Sequence, residues 1–277
     1  MKVYNTTEGI IIESNNSFYL TRENWDDFIN DDAVLNKAKK IVSNTSKIDN
    51  AGDLIKNCLL VPMQSQELWA SGVTYFNSKL GRQEESKDAG GGDYYERVYN
   101  ADRPELFFKA TLNRTVPSGA KVNIRKDSTW DVPEPELTLA ITSSGKIIGY
   151  TIGNDMSSRS IEGENPLYLP QAKTFDACAG LGPCIYLTDK TLPSDTKITM
   201  KIIRNGQIVF EDHIEINKIK RKFENLVEYL YKECSFTYGS LLMTGTGIVP
   251  STSFTLQSDD EIQISIDEIG TLINHVN

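Results

Sequence analysis

Two glutamates flank a single proline, Glu134-Pro135-Glu136, directly ahead of the apolar run Leu137-Thr138-Leu139-Ala140-Ile141. Pro135 fixes its own φ and pushes Glu134 toward an extended conformation. In extended chain, residues two apart project from the same face. Two carboxylates therefore point the same way at the mouth of a core strand. Like charges so placed repel unless a proton or a cation sits between them. A hard divalent cation with oxygen ligands is the natural occupant, and Mg²⁺ takes few carboxylates and leaves room for a substrate.

The bulk of the chain narrows the function classes. Its 277 residues suffice for one large domain, or a main domain with a small companion. A content of 39% hydrophobic and 24% charged residues fits a soluble globular protein. The net charge of −9 leaves no basic stripe for phosphates, which argues against nucleic acid as the main partner. The most basic stretch, 218–222, reads as the solvated start of a helix. No apolar run approaches the roughly 18 residues of a membrane span, and the N-terminus lacks the apolar core of a signal peptide. Cys58, Cys178, Cys184 and Cys234 are scattered, with no CxxC, and read as reduced thiols of a cytoplasmic protein.

Hydrophobic patterning divides the chain. Residues 1–65 read as a small N-terminal α/β domain, with short strands over 9–12 and 17–20. A helix follows over 31–42, with Ala33, Leu35, Ala38 and Ile41 as its apolar positions. Residues 66–277 read as a β-rich catalytic domain. Strands are expected over 121–125, 137–142, 147–152, 198–203, 208–216, 261–267 and 271–276, with a hairpin turn at Asn205-Gly206 and another tight turn at Gly270. One helix interrupts them, with Asn217 as N-cap and Ile219, Phe223, Leu226, Val227 and Leu230 on its core face. The fold class is α+β and β-rich, too irregular for a doubly wound sheet. Asp88-Ala89-Gly90-Gly91-Gly92-Asp93 reads as a surface loop or an active-site lid. It lacks the lysine and spacing of a phosphate loop.

Downstream of the paired glutamates an ordered set of motifs appears. Gly149-Tyr150-Thr151-Ile152-Gly153-Asn154-Asp155-Met156-Ser157-Ser158-Arg159 comes first. Asn165 to Lys173 contains Pro-Leu-Tyr-Leu-Pro-Gln-Ala-Lys, Leu181-Gly182-Pro183 follows, and Thr244-Gly245-Thr246-Gly247 lies near the end. Taken together these resemble the fumarylacetoacetate hydrolase superfamily across residues 66–277. The resemblance implies a mixed β-sheet roll of that superfamily's C-terminal type, with the small α/β unit ahead of it. It implies that Glu134, Glu136 and Asp155 hold Mg²⁺, with Mn²⁺ or Ca²⁺ as substitutes. It also implies that Lys173 lies beside the substrate, that Arg159 and Thr246 bind its carboxylate end, and that the protein is at least a homodimer. Elementary chemistry agrees. A divalent ion on three carboxylates keeps positions open for a 2-oxo acid and stabilises an enolate formed at C3.

A narrower likeness is to the 2-keto-3-deoxy-D-arabinonate dehydratase branch. It rests on the 165–173 string, on Arg103-Pro104-Glu105-Leu106-Phe107-Phe108-Lys109, and on the eighteen-residue spacing from Asp155 to Lys173. It makes Glu105 the acid that protonates a leaving C4 hydroxyl, and Tyr168, Gln171 and Lys109 substrate-binding candidates, although Lys109 serves equally as a structural ion-pair partner. Carbon–carbon hydrolases of the superfamily activate water with a His-Glu pair after an Asn-Tyr. This chain has Thr74-Tyr75-Phe76-Asn77-Ser78-Lys79 there, and its two histidines, His213 and His275, read as structural or surface residues. The preferred reading is a lyase that dehydrates a 2-keto-3-deoxy sugar acid. The competing readings are a diketo-acid hydrolase, a 2-oxo-acid isomerase or decarboxylase, and a non-catalytic ligand-binding relative.

Overall fold

The computed structural model describes residues 1–85 and 92–277. The expected loop over 88–93 lies outside the described residues, except that Gly92 and Asp93 open a helix. The chain begins with strands β1 (Lys2–Thr6), β2 (Gly9–Ser14) and β3 (Ser17–Thr21), followed by helices α1 (Trp25–Ile29), α2 (Val34–Asn44) and α3 (Ala51–Cys58). Strand β4 (Glu67–Gly72), helices α4 (Phe76–Glu85) and α5 (Gly92–Asn100), and strands β5 (Glu105–Ala110), β6 (Thr115–Val116) and β7 (Lys121–Val122) come next. Two long strands, β8 (Asp131–Ile141) and β9 (Ile147–Ser158), precede α6 (Arg159–Glu164), α7 (Leu169–Lys173) and β10 (Ala179–Leu187). The hairpin β11 (Lys197–Arg204) and β12 (Gln207–Glu215), helix α8 (Phe223–Tyr231), and strands β13 (Ser240–Met243), β14 (Glu261–Ile266) and β15 (Gly270–Val276) complete it.

Among the described residues the strands form two mixed sheets. The larger has ten strands in the order β3-β2-β1-β10-β9-β8-β13-β4-β5, with β6 beside β10. The smaller has five, ordered β12-β11-β14-β15-β7. Strands β8 and β9 sit near the middle of the large sheet, and every residue of β8 is buried. The two-residue side-chain period divides β8 between two cores. Leu137, Leu139 and Ile141 pack against the small sheet through Ile198, Met200, Ile262 and Leu272. Ala140 faces the other core, which it shares with Val3, Ile10, Phe28 and Ala38 of the first 65 residues. Strand β1 pairs with β10, so the N-terminal strands extend the large sheet.

Pro133 and Pro135 belong to β8 without breaking the sheet. Strand β13 pairs only with residues 138–141, so the preceding stretch has a strand neighbour on one side only. A missing N–H is tolerated on such an edge.

The expected hairpin forms at Asn205 (φ 51°) and Gly206 (φ 75°), both left-handed as a tight hairpin turn requires. The long helix of the first 65 residues starts at Val34, after the Asp31 carboxylate accepts from the Ala33 N–H. The last helix differs more from expectation. Asn217 caps nothing: it lies in a 3₁₀ turn, and α8 begins at Phe223. The basic stretch before α8 is not a solvated helix face either. Lys220 donates to Tyr99 O, and Arg221 donates to Val98 O and Ala101 O, satisfying carbonyls left open at the C-terminus of α5.

Leu139 is fully buried at the junction of the two sheets. Leu139→Ala is expected to lower unfolding free energy by about 2–5 kcal/mol in urea denaturation. An unchanged midpoint would contradict this packing.

Candidate active site

Antiparallel pairing of β8 with β9 sets Glu134 opposite Asp155 and Glu136 opposite Gly153. Residues opposed across two strands share a face, so three carboxylates converge. One oxygen of each lies within 4.8 Å of the others. Gly153 leaves room for Thr138 and Met243 beside the triad, since a Cβ there would stand 2.5 Å from Thr138 Oγ1 and 2.7 Å from Met243 Cε. Beyond β13 the chain turns over this face. Thr244 donates through its N–H (3.0 Å) and hydroxyl (2.9 Å) to Leu137 O, and Gly245 N–H donates to Glu136 Oε2 at 2.5 Å. Gly245 has φ +93°, and a Cβ there would collide with Thr74 Oγ1, so only glycine fits.

Four basic side chains from four elements surround the carboxylates. Lys173, the last residue of α7, donates to Glu134 Oε2 (2.5 Å), Asp155 Oδ2 (3.1 Å) and Ser157 Oγ (2.6 Å). Lys109 of β5 is fully buried behind Asp155, 2.6 Å from its Oδ1. It also donates to Met156 O at 2.9 Å and to Lys173 O. Arg159 Nη2 donates to Glu134 Oε1 at 2.9 Å. Arg82 of α4 pairs with buried Glu162 and reaches within 3.9 Å of Glu134.

These cations gather around Glu134 and Asp155, and the two ends of the site titrate in opposite directions. Burial drives the Asp155 carboxyl up, but Lys109 and Lys173 outweigh it and hold the group below its ordinary range. Burial, then Asp155 and then Glu134, push the Glu136 carboxyl well above its ordinary range. Its one hydrogen bond, from Gly245, and the more distant Lys173 do not offset them. The donor set therefore fits a hard divalent cation: three convergent carboxylates, one of which still needs positive charge beside it.

The cavity over this face is lined by Glu134, Glu136, Asp155, Arg159, Lys173 and Thr246 among others, so six residues anticipated from sequence meet at one place. Glu105 is not among the residues lining this cavity: its carboxylate lies over the backbone of Gly72, which does line it. Burial and Glu134 raise the Glu105 pKa against the opposing pull of Arg82 and Lys173. Tyr168 and Gln171 do not enter the cavity. They lie on the exposed side of the segment whose buried side carries Lys173. Lys109 touches Asp155 from behind and does not line the cavity.

Sequence reading missed Arg82, Ser71, Ser78 and Val73, all of which line the cavity. Arg82 lies more than fifty residues before Glu134 and carries no motif, so nothing local marks it. Val73, at φ 52°, is a β-branched residue in the left-handed region, the kind of backbone outlier that collects at functional sites. His213 and His275 lie on β12 and β15 of the small sheet, away from the cavity.

The family model of the fumarylacetoacetate hydrolase C-terminal domain matches residues 79–277. This chain belongs to the fumarylacetoacetate hydrolase family. It is 43% identical over 240 residues to a Haloferax volcanii protein named "Probable 2-keto-3-deoxyxylonate dehydratase", covering 86% of this chain and 81% of the relative. It is 44% identical over 217 residues to 2-dehydro-3-deoxy-D-arabinonate dehydratase of Saccharolobus solfataricus, covering 78% and 73%. The solved structure of 2-keto-3-deoxy-D-arabinonate dehydratase complexed with magnesium and 2,5-dioxopentanoate superimposes with a TM-score of 0.86 at 35% identity, covering 100% of this chain and 99% of that one.

Glu136→Gln is expected to weaken Mg²⁺ binding by roughly tenfold or more in calorimetric titration. Without metal, the same variant should be at least as stable as the parent. Unfolded Glu136 ionises near 4.5, and the folded group only well above it. Burying it therefore destabilises the metal-free fold increasingly as pH rises from about 4.5 through the raised folded value, and the melting-temperature gap should widen over that range. A variant less stable at pH 7 than at pH 4.5, relative to the parent, would contradict the assignment.

Proposed function

We propose that this chain is a Mg²⁺-dependent dehydratase of a 2-keto-3-deoxy sugar acid, such as 2-keto-3-deoxy-D-arabinonate, which it converts to 2,5-dioxopentanoate. The observation that carries this reading is a carboxylate triad joined directly to a buried lysine, in a chain whose relatives over most of its length are dehydratases of such acids. Glu134, Glu136 and Asp155 are the ligand set. The bound ion supplies Lewis acidity to a 2-oxo acid chelated through its carboxylate and keto oxygens.

The remaining chemistry falls to the chain's own side chains. Lys173 Nζ touches two of the three ligands and is suited to take or relay the C3 proton. Glu105, whose carboxyl is raised by burial, holds its proton more readily than an exposed glutamate and donates it to the departing C4 hydroxyl. The C4–O bond breaks, water leaves, and the unsaturated product tautomerises to the dioxo acid. Arg159 and Thr246 bind the carboxylate end. Lys109 orients Asp155 and the Lys173 backbone from behind. No histidine lines the cavity among the described residues, so the water-activating pair of the family's hydrolases has no counterpart here.

The unpaired state of all four cysteines supports a cytoplasmic setting, and the family resemblance supports a homodimer or larger homo-oligomer. No helix among the described residues is long and apolar enough to cross a membrane.

Incubation of 2-keto-3-deoxy acids with enzyme and Mg²⁺ should produce the mass loss of one water, and EDTA should abolish it. Full turnover in EDTA rules the proposal out. Lys173→Ala should retain Mg²⁺ binding but lose exchange of the C3 proton in D₂O. Glu105→Gln should retain that exchange while water loss slows by about 10²–10⁴-fold. The opposite pattern would reverse the two assignments.

A further inference from the structure

The carboxylate cavity is nearly filled by its own side chains, with a free volume of about 10 Å³. On the other side of Glu105 a far larger cleft, about 640 Å³, opens between α5 and the segment at 165–167. Glu105 lines this cleft and borders the inner cavity through Gly72. Its carboxylate lies over Gly72, which lines the inner cavity, while the residue also lines the outer cleft beside Tyr95, Asn165 and Leu167. The group assigned to the C4 hydroxyl therefore stands next to the inner cavity and in the outer cleft.

The lining of the cleft suits a hydroxylated carbon chain. Tyr95 is 8% exposed and lines the cleft, so its phenol is a hydrogen-bonding group on the cleft wall. It shares the cleft wall with Glu105. At the rim, Leu167 is 84% exposed and Tyr94 63% exposed, both offering apolar surface to C–H groups.

We propose that this cleft is the distal subsite. The carbons beyond C4 of the substrate pass Glu105 into it, and Tyr95 donates a hydrogen bond to the terminal hydroxyl. Because the cleft exceeds the needs of one further carbon, six-carbon 2-keto-3-deoxy acids are accommodated as well as five-carbon ones. This inference rests on the dehydratase reading and adds chain-length specificity to it.

Calorimetric titration of the Mg²⁺-loaded protein with three acids that cannot lose water from C4 tests it. 2-Oxobutanoate ends before the cleft, whereas 5-hydroxy-2-oxopentanoate and 6-hydroxy-2-oxohexanoate reach it. The two hydroxy acids should bind about two- to tenfold more tightly than 2-oxobutanoate, the range of one net hydrogen bond. Tyr95→Phe should erase that advantage while leaving 2-oxobutanoate unchanged. Leu167→Trp, at an exposed position that folding tolerates, should weaken the six-carbon acid more than the five-carbon one. Equal affinity for all three acids in the parent, or equal weakening of all three by Tyr95→Phe, overturns the subsite while the dehydratase reading stands. Failure of the parent to bind even 2-oxobutanoate overturns both.

Discussion

Three carboxylates lie buried side by side because β8 and β9 pair in the one register that sets Glu134 against Asp155. Left uncompensated, each buried charge would cost several kcal/mol. A slip of one residue would turn the glutamates into the apolar core beneath the sheet. The surrounding structure can be understood as the response to this burial. Lys109 arrives from β5, Lys173 from α7, Arg159 from α6 and Arg82 from α4, and each makes an ion pair within this buried cluster.

The compensation is uneven, and the unevenness is what makes the site chemically useful. Asp155 and Glu134 are saturated with cations, while Glu136 relies on the Gly245 N–H and sits close to both other acids. Environments that push like groups apart in pKa separate ligands from acids and bases. Asp155 is held low by its lysines, and Glu105, over the backbone of Gly72, is shifted the other way. The proposed dehydration calls on such a pairing: a charged pole to hold a 2-oxo acid, and a proton donor for the departing hydroxide.

Much of this centre was legible along the chain because its parts lie in three short motifs whose local geometry is nearly self-determined. Pro135 enforces extension and so aligns Glu134 with Glu136. Asn154-Asp155 ends a recognisable apolar pattern, and Lys173 follows a helical segment opened by proline. The strands of the small sheet and the Asn205-Gly206 hairpin were equally readable from alternation and turn chemistry. The start of α8 was not, because the 3₁₀ turn at 216–218 and the contacts of Lys220 and Arg221 with the end of α5 override local helix preference.

By itself the sequence determined most of the acidic and basic residues that make up the charged centre and the family to which the chain belongs, since these depend on residue kinds at short spacings. Tertiary structure decided which side chains face that centre. Arg82 is brought in by helix α4, and Lys109 is turned behind Asp155 and away from the cavity. Tyr168 and Gln171 are left outside because a helix that buries Lys173 must present its other face to solvent. The division follows from range. Backbone stiffness and side-chain period act over a few residues, whereas the neutralisation of buried charge draws on whatever cations the packed sheets and helices bring within reach.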